Sequence, residues 1–241
     1  MKRIDFLKKA GFGLIASATL LSCKKDEEIG LDTPTGTTGS SNGSSAANCT
    51  VTNSETEGPF PTKIPSSLQQ TNIVSDRTGV PMTVKIFIKN KNGDCVVLKE
   101  AIVDIWHCDA DGNYSQYGGT GLQSINYTSA SFLRGRQVTD ANGQVTFGSL
   151  FPGWYGGRAP HIHVHIYNAS GKSLLVTQIA FPKEVCDNVY TKATSFYKKG
   201  TQDTTNERDN VFGDGYANEL ASIEGSISAG YTLTHTIVVN A

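Results

Sequence analysis

Residues 157–167 read GRAPHIHVHIY and hold three of the five histidines in the chain. His161, His163 and His165 alternate with branched aliphatic residues. This alternation is typical of a β-strand, because successive side chains of a strand point to opposite faces of the sheet. The stretch therefore predicts a strand with imidazoles on one face and with isoleucine and valine packed against a core on the other.

The spacing of these histidines suggests a metal site that uses two of them. Neighbouring residues on one face of a strand lie about 6–7 Å apart at Cα, so two adjacent imidazoles can reach one ion. The third lies twice as far from the first. We therefore take His161 and His163 as candidate ligands and expect His165 to be a hydrogen-bonded core or rim residue. The alternative is that the His-x-His pattern occurs by chance.

Short runs rich in β-forming residues recur throughout residues 49–241, separated by turn sequences such as KNGD and DANG. No second linker and no internal repeat interrupt this region. The pattern favours one all-β domain, an antiparallel β-sandwich with long active-site loops and little helix. The best helical periodicity lies at 216–226. The expected strands lie at 82–90, 101–108, 143–150, 161–167, 173–181 and 231–240.

The composition is that of an ordinary soluble domain. The chain has 241 residues, of which 38% are hydrophobic and 18% charged, and its formal net charge is −1. A nucleic-acid-binding protein should carry a clear excess of Lys and Arg. The charge therefore argues against nucleic acid as a partner.

The N-terminus has the pattern of a targeting segment. A basic stretch, MKRIDFLKK, precedes a 12-residue apolar run that ends in LLSC, and roughly 20 apolar residues are needed to span a bilayer. We expect residues 1–22 to be a bacterial lipoprotein signal peptide and Cys23 to carry the lipid, although an ordinary secretory signal would look similar. Residues 23–48 then form a flexible tether rich in Gly, Ser and Thr. This predicts a lipid-anchored protein of the cell envelope, at the outer membrane or cell surface.

Four cysteines remain after Cys23, and an even number in an exported domain suggests disulfides. Four cysteines allow three pairings, among which the sequence does not choose. We favour Cys95 with Cys108 and Cys49 with Cys186. The alternative is that one or both pairs are small buried residues.

Tyrosines are the nearest candidates to complete a metal site. Residues 141–157 contain no Asp or Glu, so a site of two histidines and one carboxylate is not indicated. Tyr155 lies in the glycine-rich FPGWYGGR, and Tyr114 follows a strand and a turn. A phenolate is a hard anionic donor that suits ferric iron, although each tyrosine could equally be a packed aromatic. The loop at 114–136 holds several aromatics and is expected to pack over a site.

Several motifs together resemble the intradiol ring-cleavage dioxygenases, a non-haem ferric family that opens catechols between the hydroxyl-bearing carbons. The resemblance covers most of residues 49–241. Each motif is weak alone, but the ordered combination is specific. The motifs are TEGPFP at 56–61, VDIWHCDADGNYS at 103–115, GRQVTDANGQVTF at 135–147, FPGWYGGRAPHIHVHI at 151–166 and TQIAF at 177–181.

The resemblance implies a set of site residues. It implies Fe(III) bound by Tyr114, Tyr155, His161 and His163, with Tyr155 as the axial ligand that also accepts a proton. Arg158 matches the active-site arginine of the family and Gln178 the glutamine beside the substrate, whereas His165 matches no ligand and His107 a structural position. The loop from Tyr155 to His161 is shorter than in the soluble catabolic enzymes and resembles a compact exported subgroup, which suggests a more open site.

The resemblance implies an enzyme that cleaves a catechol-type diol with O₂ to a muconate-type diacid. Two alternatives remain open. The first is a surface lipoprotein that keeps the fold and binds a metal or an aromatic ligand without turnover. The second is a zinc or manganese enzyme that uses His161, His163 and His165. The sequence does not choose the catechol, the oligomeric state or the membrane leaflet.

Overall fold

The computed structural model describes residues 49–119 and 121–241. Within these ranges the chain forms two β-sheets and one α-helix, with short 3₁₀ turns between them. The elements are β1 (Pro81–Asn90), β2 (Val96–Val97), β3 (Ile102–Trp106), β4 (Arg134–Val138), β5 (Gln144–Leu150), β6 (His161–Tyr167), β7 (Ser173–Ala180), α1 (Lys183–Lys192), β8 (Ser222–Ser226) and β9 (Gly230–Val239).

The two sheets confirm the predicted β-sandwich. One sheet has the order β2-β1-β9-β8, with β5 also paired to β1, and the other has the order β4-β3-β6-β7. Strand β6 runs antiparallel to both of its neighbours, β3 and β7. Strands β1 and β9 run parallel, so the first sheet is mixed rather than purely antiparallel.

The core lies between the two sheets and is built from alternate residues of the strands. Ile162, Val164 and Ile166 of β6 are fully buried and belong to this core. Burying such a side chain stabilises the fold by about 1.5–3 kcal/mol. Because the side chains of β6 alternate, its histidines lie on the opposite face of the sheet, as predicted.

The helix prediction for residues 216–226 is wrong. Ser222–Ser226 forms β8, which pairs antiparallel with β9 and covers an edge that would otherwise be unpaired. The helix lies instead at Lys183–Lys192 and buries Cys186, Val189 and Tyr190. The spacing of these three residues, at i, i+3 and i+4, was a helical signal in the sequence.

The expected disulfide pairing is also wrong. Cys49 is bonded to Cys95, 46 positions further along the chain, with 5.8 Å between their Cα atoms. Cys108 and Cys186 are free and buried. Cys108 follows β3 and Cys186 lies on α1, and both pack as small apolar side chains. The bond at Cys49 ties the start of the described domain to the turn after β1.

The predicted signal peptide, the predicted lipid site at Cys23 and the predicted tether lie outside the described residues. In the part of the chain that the structure describes, no helix is long and apolar enough to cross a membrane.

Glu219, whose carboxyl is buried, forms hydrogen bonds to the end of β7 through its backbone and its side chain. Its backbone carbonyl accepts a hydrogen bond from the Ala180 amide at 3.0 Å, and its Oε1 accepts one from the Thr177 hydroxyl at 3.0 Å. Oε2 has no hydrogen-bond partner among the described residues. Burial, with a smaller contribution from the nearby Glu55, raises the pKa of this carboxyl to about 8, so the folded protein holds a proton that the unfolded chain releases.

We predict that Glu219 makes the fold less stable as pH rises. The folded pKa lies above the unfolded value, so stability is full below about pH 4.5 and falls until about pH 8. The slope is at most about 1.4 kcal/mol per pH unit. Glu219→Gln should remove this contribution, which urea unfolding between pH 5 and pH 9 measures. The exposed Glu224→Gln is the control, and a pH slope that stays unchanged in the Glu219→Gln variant would contradict the prediction.

Candidate active site

The two histidines chosen from the sequence come together on the outer face of β6. Their Nε2 atoms lie 3.1 Å apart, and both side chains are buried. Nδ1 of His161 donates a hydrogen bond to the Ala159 carbonyl at 2.6 Å, which leaves the lone pair of this ring on Nε2. Burial lowers the pKa of both imidazoles well below the usual value, so both are neutral near pH 7. Trp106, opposite His163 on β3, stacks parallel to the His163 ring at 4.8 Å.

Both candidate tyrosines lie at this histidine pair. The hydroxyl oxygen of Tyr114 is 3.4 Å from Nε2 of His161, and Tyr114 is fully buried. The Tyr155 ring centre lies 5.7 Å from that of Tyr114 and 5.8 Å from that of His161. Burial raises the pKa of both phenols. Tyr155 is only half-buried, so it is the member of the group that faces the opening of the site.

The loop expected at 114–136 ends at Leu133, because β4 begins at Arg134. Its Tyr117 packs against Phe60 and Tyr114 at the site, and one glutamine holds the backbone of Tyr114. The Gln123 side chain accepts a hydrogen bond from the Tyr114 amide at 2.6 Å and donates one to the Tyr114 carbonyl at 2.8 Å. The same amide group donates to the carbonyls of Tyr117 and Ile125. Gln123 thereby bonds to both the amide and the carbonyl of Tyr114, as a neighbouring strand would, and fixes the backbone at this residue.

A fully buried arginine lies behind Tyr114. Arg134 donates hydrogen bonds to the Ser115 carbonyl at 2.7 Å, to the Ser115 hydroxyl at 2.9 Å and to the Phe60 carbonyl at 2.9 Å. Burial lowers the pKa of its guanidinium to about 10. Its charge lies 5.8 Å from the Tyr114 ring centre, close enough to stabilise a phenolate there.

The TEGPFP segment forms a wall of the site. The Phe60 ring stacks on Tyr114 at 4.7 Å and meets Tyr155 edge-on at 6.4 Å. Gly58 has φ +67°, and a Cβ there would lie 3.1 Å from Cε1 of His163. The close approach of this backbone to His163 therefore requires glycine.

Arg158 and Gln178 lie beside the same group. Nη1 of Arg158 is 3.4 Å from the Tyr155 hydroxyl, and Nη2 donates to Oε1 of Gln178 at 2.5 Å. Gln178 faces His163 across the β6–β7 pair and donates to the Thr56 carbonyl at 2.9 Å. Arg158 also forms an ion pair with the buried Asp209 at 2.9 Å. The arginine is thus held between an acid and an amide, with one nitrogen directed at Tyr155.

The third strand histidine lies apart from the first two. Nδ1 of His165 contacts the Tyr167 hydroxyl at 2.9 Å and Glu57 at 3.0 Å, and Nε2 contacts the Ser173 hydroxyl at 2.8 Å. In the described ranges, no group of three or more His, Cys, Asp or Glu side chains could hold a metal ion. This excludes the three-histidine zinc or manganese site among those residues.

His107 also lies away from the pair. Its Nδ1 donates to the Cys108 carbonyl at 2.8 Å, and Nε2 contacts the Ser149 hydroxyl at 2.7 Å. Burial lowers the pKa of this imidazole to about 4. A neutral ring with both nitrogens engaged is a structural side chain.

Four residues of the site were not singled out in the sequence: Phe60, Gln123, Arg134 and Asp209. Phe60 carried a signal, since it lies between two prolines in a motif that was already noted. Gln123, Arg134 and Asp209 carried none. A glutamine in a polar loop, an arginine at the start of a strand and an acid in a loop are usually exposed, and only the fold shows that these three are buried.

The comparisons with known proteins agree with this geometry. A family model described as "Dioxygenase" matches residues 57–196. An intradiol ring-cleavage dioxygenase from Tetranychus urticae is 31% identical, with a TM-score of 0.70 over 80% of this chain and 95% of that chain. No curated protein matches the chain. The chain belongs to the intradiol ring-cleavage dioxygenase family.

Two further solved structures are similar. The dioxygenase domain of a dioxygenase–carbohydrate-binding protein fusion from Streptomyces sp. SirexAA-E is 27% identical, with a TM-score of 0.57 over 80% of this chain and 99% of that domain. The 3-chlorocatechol 1,2-dioxygenase from Rhodococcus opacus 1CP is 19% identical, with a TM-score of 0.54 over 78% of this chain and 72% of that chain. The latter similarity shows a shared fold.

We predict that the hydrogen bonds of the Gln123 side chain stabilise the loop at 114–133 more than those of any other side chain in it. Gln123→Ala should speed amide hydrogen exchange at residues 116–127 and leave exchange in β6 unchanged. The loss of these buried hydrogen bonds should cost about 1–3 kcal/mol of local stability. Hydrogen–deuterium exchange with mass spectrometry measures this, with Gln144→Ala on β5 as the control. Equal exchange in the loop of both variants would contradict the prediction.

Proposed function

We propose that the chain is a non-haem Fe(III) intradiol dioxygenase that cleaves a catechol-type diol with O₂ to a muconate-type diacid. The observation that carries the proposal is the 3.1 Å separation of the Nε2 atoms of His161 and His163 beside the Tyr114 hydroxyl. Two buried nitrogens so close together need a proton or a cation between them. Because His161 keeps its proton on Nδ1, its Nε2 lone pair is directed into the group.

The chemistry of the donors fits a ferric ion. Burial raises the pKa of the phenols of Tyr114 and Tyr155, so their anionic forms require a positive charge close by. Two phenolates and two neutral imidazoles make a hard, dianionic set that suits a trivalent metal. We therefore propose Tyr114, Tyr155, His161 and His163 as the ligands. When bound, Fe(III) would act as a Lewis acid and as a template for the catechol and O₂.

Side chains of this protein would accept the proton, stabilise the developing charge and orient the substrate. Tyr155 is half-buried at the opening, where its oxygen, a phenolate in the proposed ligand set, would accept a proton from an incoming catechol hydroxyl. Arg158, a permanent cation 3.4 Å from that oxygen, would stabilise negative charge that develops on the substrate. Gln178 keeps one amide N–H for a substrate hydroxyl after its bond to Thr56. The Phe60 ring would shield this chemistry from water.

A binding module without turnover is not favoured. Loss of a proposed ligand would have supported it, and none of the residues named for catalysis is replaced. The neighbours of these residues are also arranged for chemistry, since Arg158 is directed at Tyr155 by two separate partners.

We also propose that the enzyme acts in the cell envelope, at the outer membrane or cell surface, anchored by a lipid on Cys23. The support is the basic and apolar pattern of residues 1–22 and the polar tether that follows. Mass spectrometry of Cys23 in membrane fractions tests this part of the proposal.

The first experiment is a visible absorption spectrum of the full chain loaded with Fe(III), taken before and after anaerobic addition of catechol. A broad tyrosinate-to-iron band that shifts on addition, followed by release of a muconate-type diacid when O₂ is admitted, is the expected result. A colourless protein that retains zinc, or takes up no metal, would overturn the proposal.

We predict different results for substitutions inside and outside the proposed ligand set. Tyr155→Phe should weaken the band and slow turnover by about 10²- to 10⁴-fold, the usual contribution of a proton-accepting group. His165→Ala should keep iron and colour, because its ring bonds only to residues outside the group. Tyr117→Phe is the control for loss of a nearby phenol. Iron loss in the His165 variant would contradict the ligand assignment.

A further inference from the structure

The segment at 200–209 forms hydrogen bonds to the bend that carries Tyr155 and Arg158, and it lies beyond the region that the family model matches. The Gly200 carbonyl accepts a hydrogen bond from the Trp154 indole at 2.9 Å, and Oδ1 of Asp203 accepts one from the Gly157 amide at 3.2 Å. The family match ends at residue 196, so these contacts come from outside it. The bend itself is a tight turn in which the Arg158 amide donates to the Tyr155 carbonyl.

The strongest contacts of this segment come from Asp209. Both of its carboxylate oxygens accept from Nε of Arg158 at 2.9 Å. Oδ2 also accepts from the Ala159 amide at 2.8 Å, and Oδ1 from the Val211 amide at 2.9 Å. The Asp209 side chain is fully buried, and that of Arg158 is 13% exposed.

These contacts affect two parts of the site, the Arg158 guanidinium and the His161 imidazole. Through Nε, Asp209 sets the plane of the Arg158 guanidinium, which leaves Nη1 directed at Tyr155 and Nη2 at Gln178. Through the Ala159 amide, it holds the peptide group next to the carbonyl that accepts from Nδ1 of His161. We propose that Asp209 is a positioning residue for the reaction. It orients Arg158 and keeps His161 in the tautomer that directs its Nε2 lone pair into the site, an inference that rests on the proposed function.

The physical reason is the flexibility of arginine. Its side chain has several rotatable bonds, so a guanidinium that must stabilise charge at one place has to be held there. A carboxylate that binds Nε fixes the plane of the fork and leaves both terminal nitrogens for other partners. Because the pair is buried, removal of the carboxylate would leave an uncompensated charge that moves to find another partner.

The test compares Asp209→Asn with Asp104→Asn in the full-length, iron-loaded protein. Asp104 is the matched control, since it is equally buried and binds Arg136 at 2.5 and 2.6 Å, outside the proposed machinery. Asp209→Asn should lower kcat for catechol by about 10- to 100-fold, with a much smaller change in KM. Asp104→Asn should leave kcat unchanged. Equal kcat values for the two variants would overturn the inference.

A double-mutant cycle with Arg158→Lys separates positioning from a general effect on stability. If Asp209 acts through Arg158, then Asp209→Asn should cause little further loss of kcat in the Arg158→Lys background. Losses that multiply would show that Asp209 acts independently of the arginine and would overturn its proposed role in orienting Arg158.

A second readout uses the metal-free full chain and needs no activity. The Nε–H of Arg158, identified in ¹⁵N NMR spectra by its loss in Arg158→Lys, should exchange slowly with solvent in the unsubstituted protein. It should exchange fast in Asp209→Asn and slowly in Asp104→Asn. Fast exchange in the unsubstituted protein overturns the inference even if Asp209→Asn fails to fold. If no iron binds and no catechol is cleaved, the proposed function fails while this measurement still decides the role of Asp209.

Discussion

Strand β6 lies between β3 and β7, and its pleated backbone sends alternate side chains to opposite faces of the sheet. The core face carries Ile162, Val164 and Ile166, which are fully buried. Packing of this face fixes the register of the strand, since a slip by one residue would put the imidazoles in the core. The hydrophobic effect on one face therefore determines where His161 and His163 lie on the other, and the rest of the site is arranged around them.

A buried polar site is costly unless each group is held by a partner. The protein meets this requirement with side chains from distant parts of the chain. Gln123 holds the backbone of Tyr114, Arg134 lies behind the same tyrosine, and Asp209 holds Arg158. A loop, the start of β4 and a segment after α1 thus converge on the site, and each contributes a side chain that bonds to backbone or to a charged group.

Helix α1 and the turn that follows it support the segment that leads into the bend. The Tyr190 hydroxyl donates to the Pro152 carbonyl at 2.9 Å, and the Tyr197 hydroxyl donates to the Phe151 carbonyl at 2.7 Å. These bonds anchor the backbone just before Tyr155. The short connection from Tyr155 to His161 can therefore keep its shape with few residues of its own, because neighbouring segments supply its hydrogen bonds.

The sequence alone determined the strand at 161–167, the faces on which its side chains lie and the β-sandwich class, because alternation and turn residues are local properties of the chain. Its motifs also located Tyr114, Tyr155 and Arg158. Only the tertiary structure decided the pairing of Cys49 with Cys95, the strand at 222–226 and the partners that Gln123 and Asp209 find. These depend on which segments meet in space, and a buried acid far along the chain has the same local sequence pattern as an exposed one.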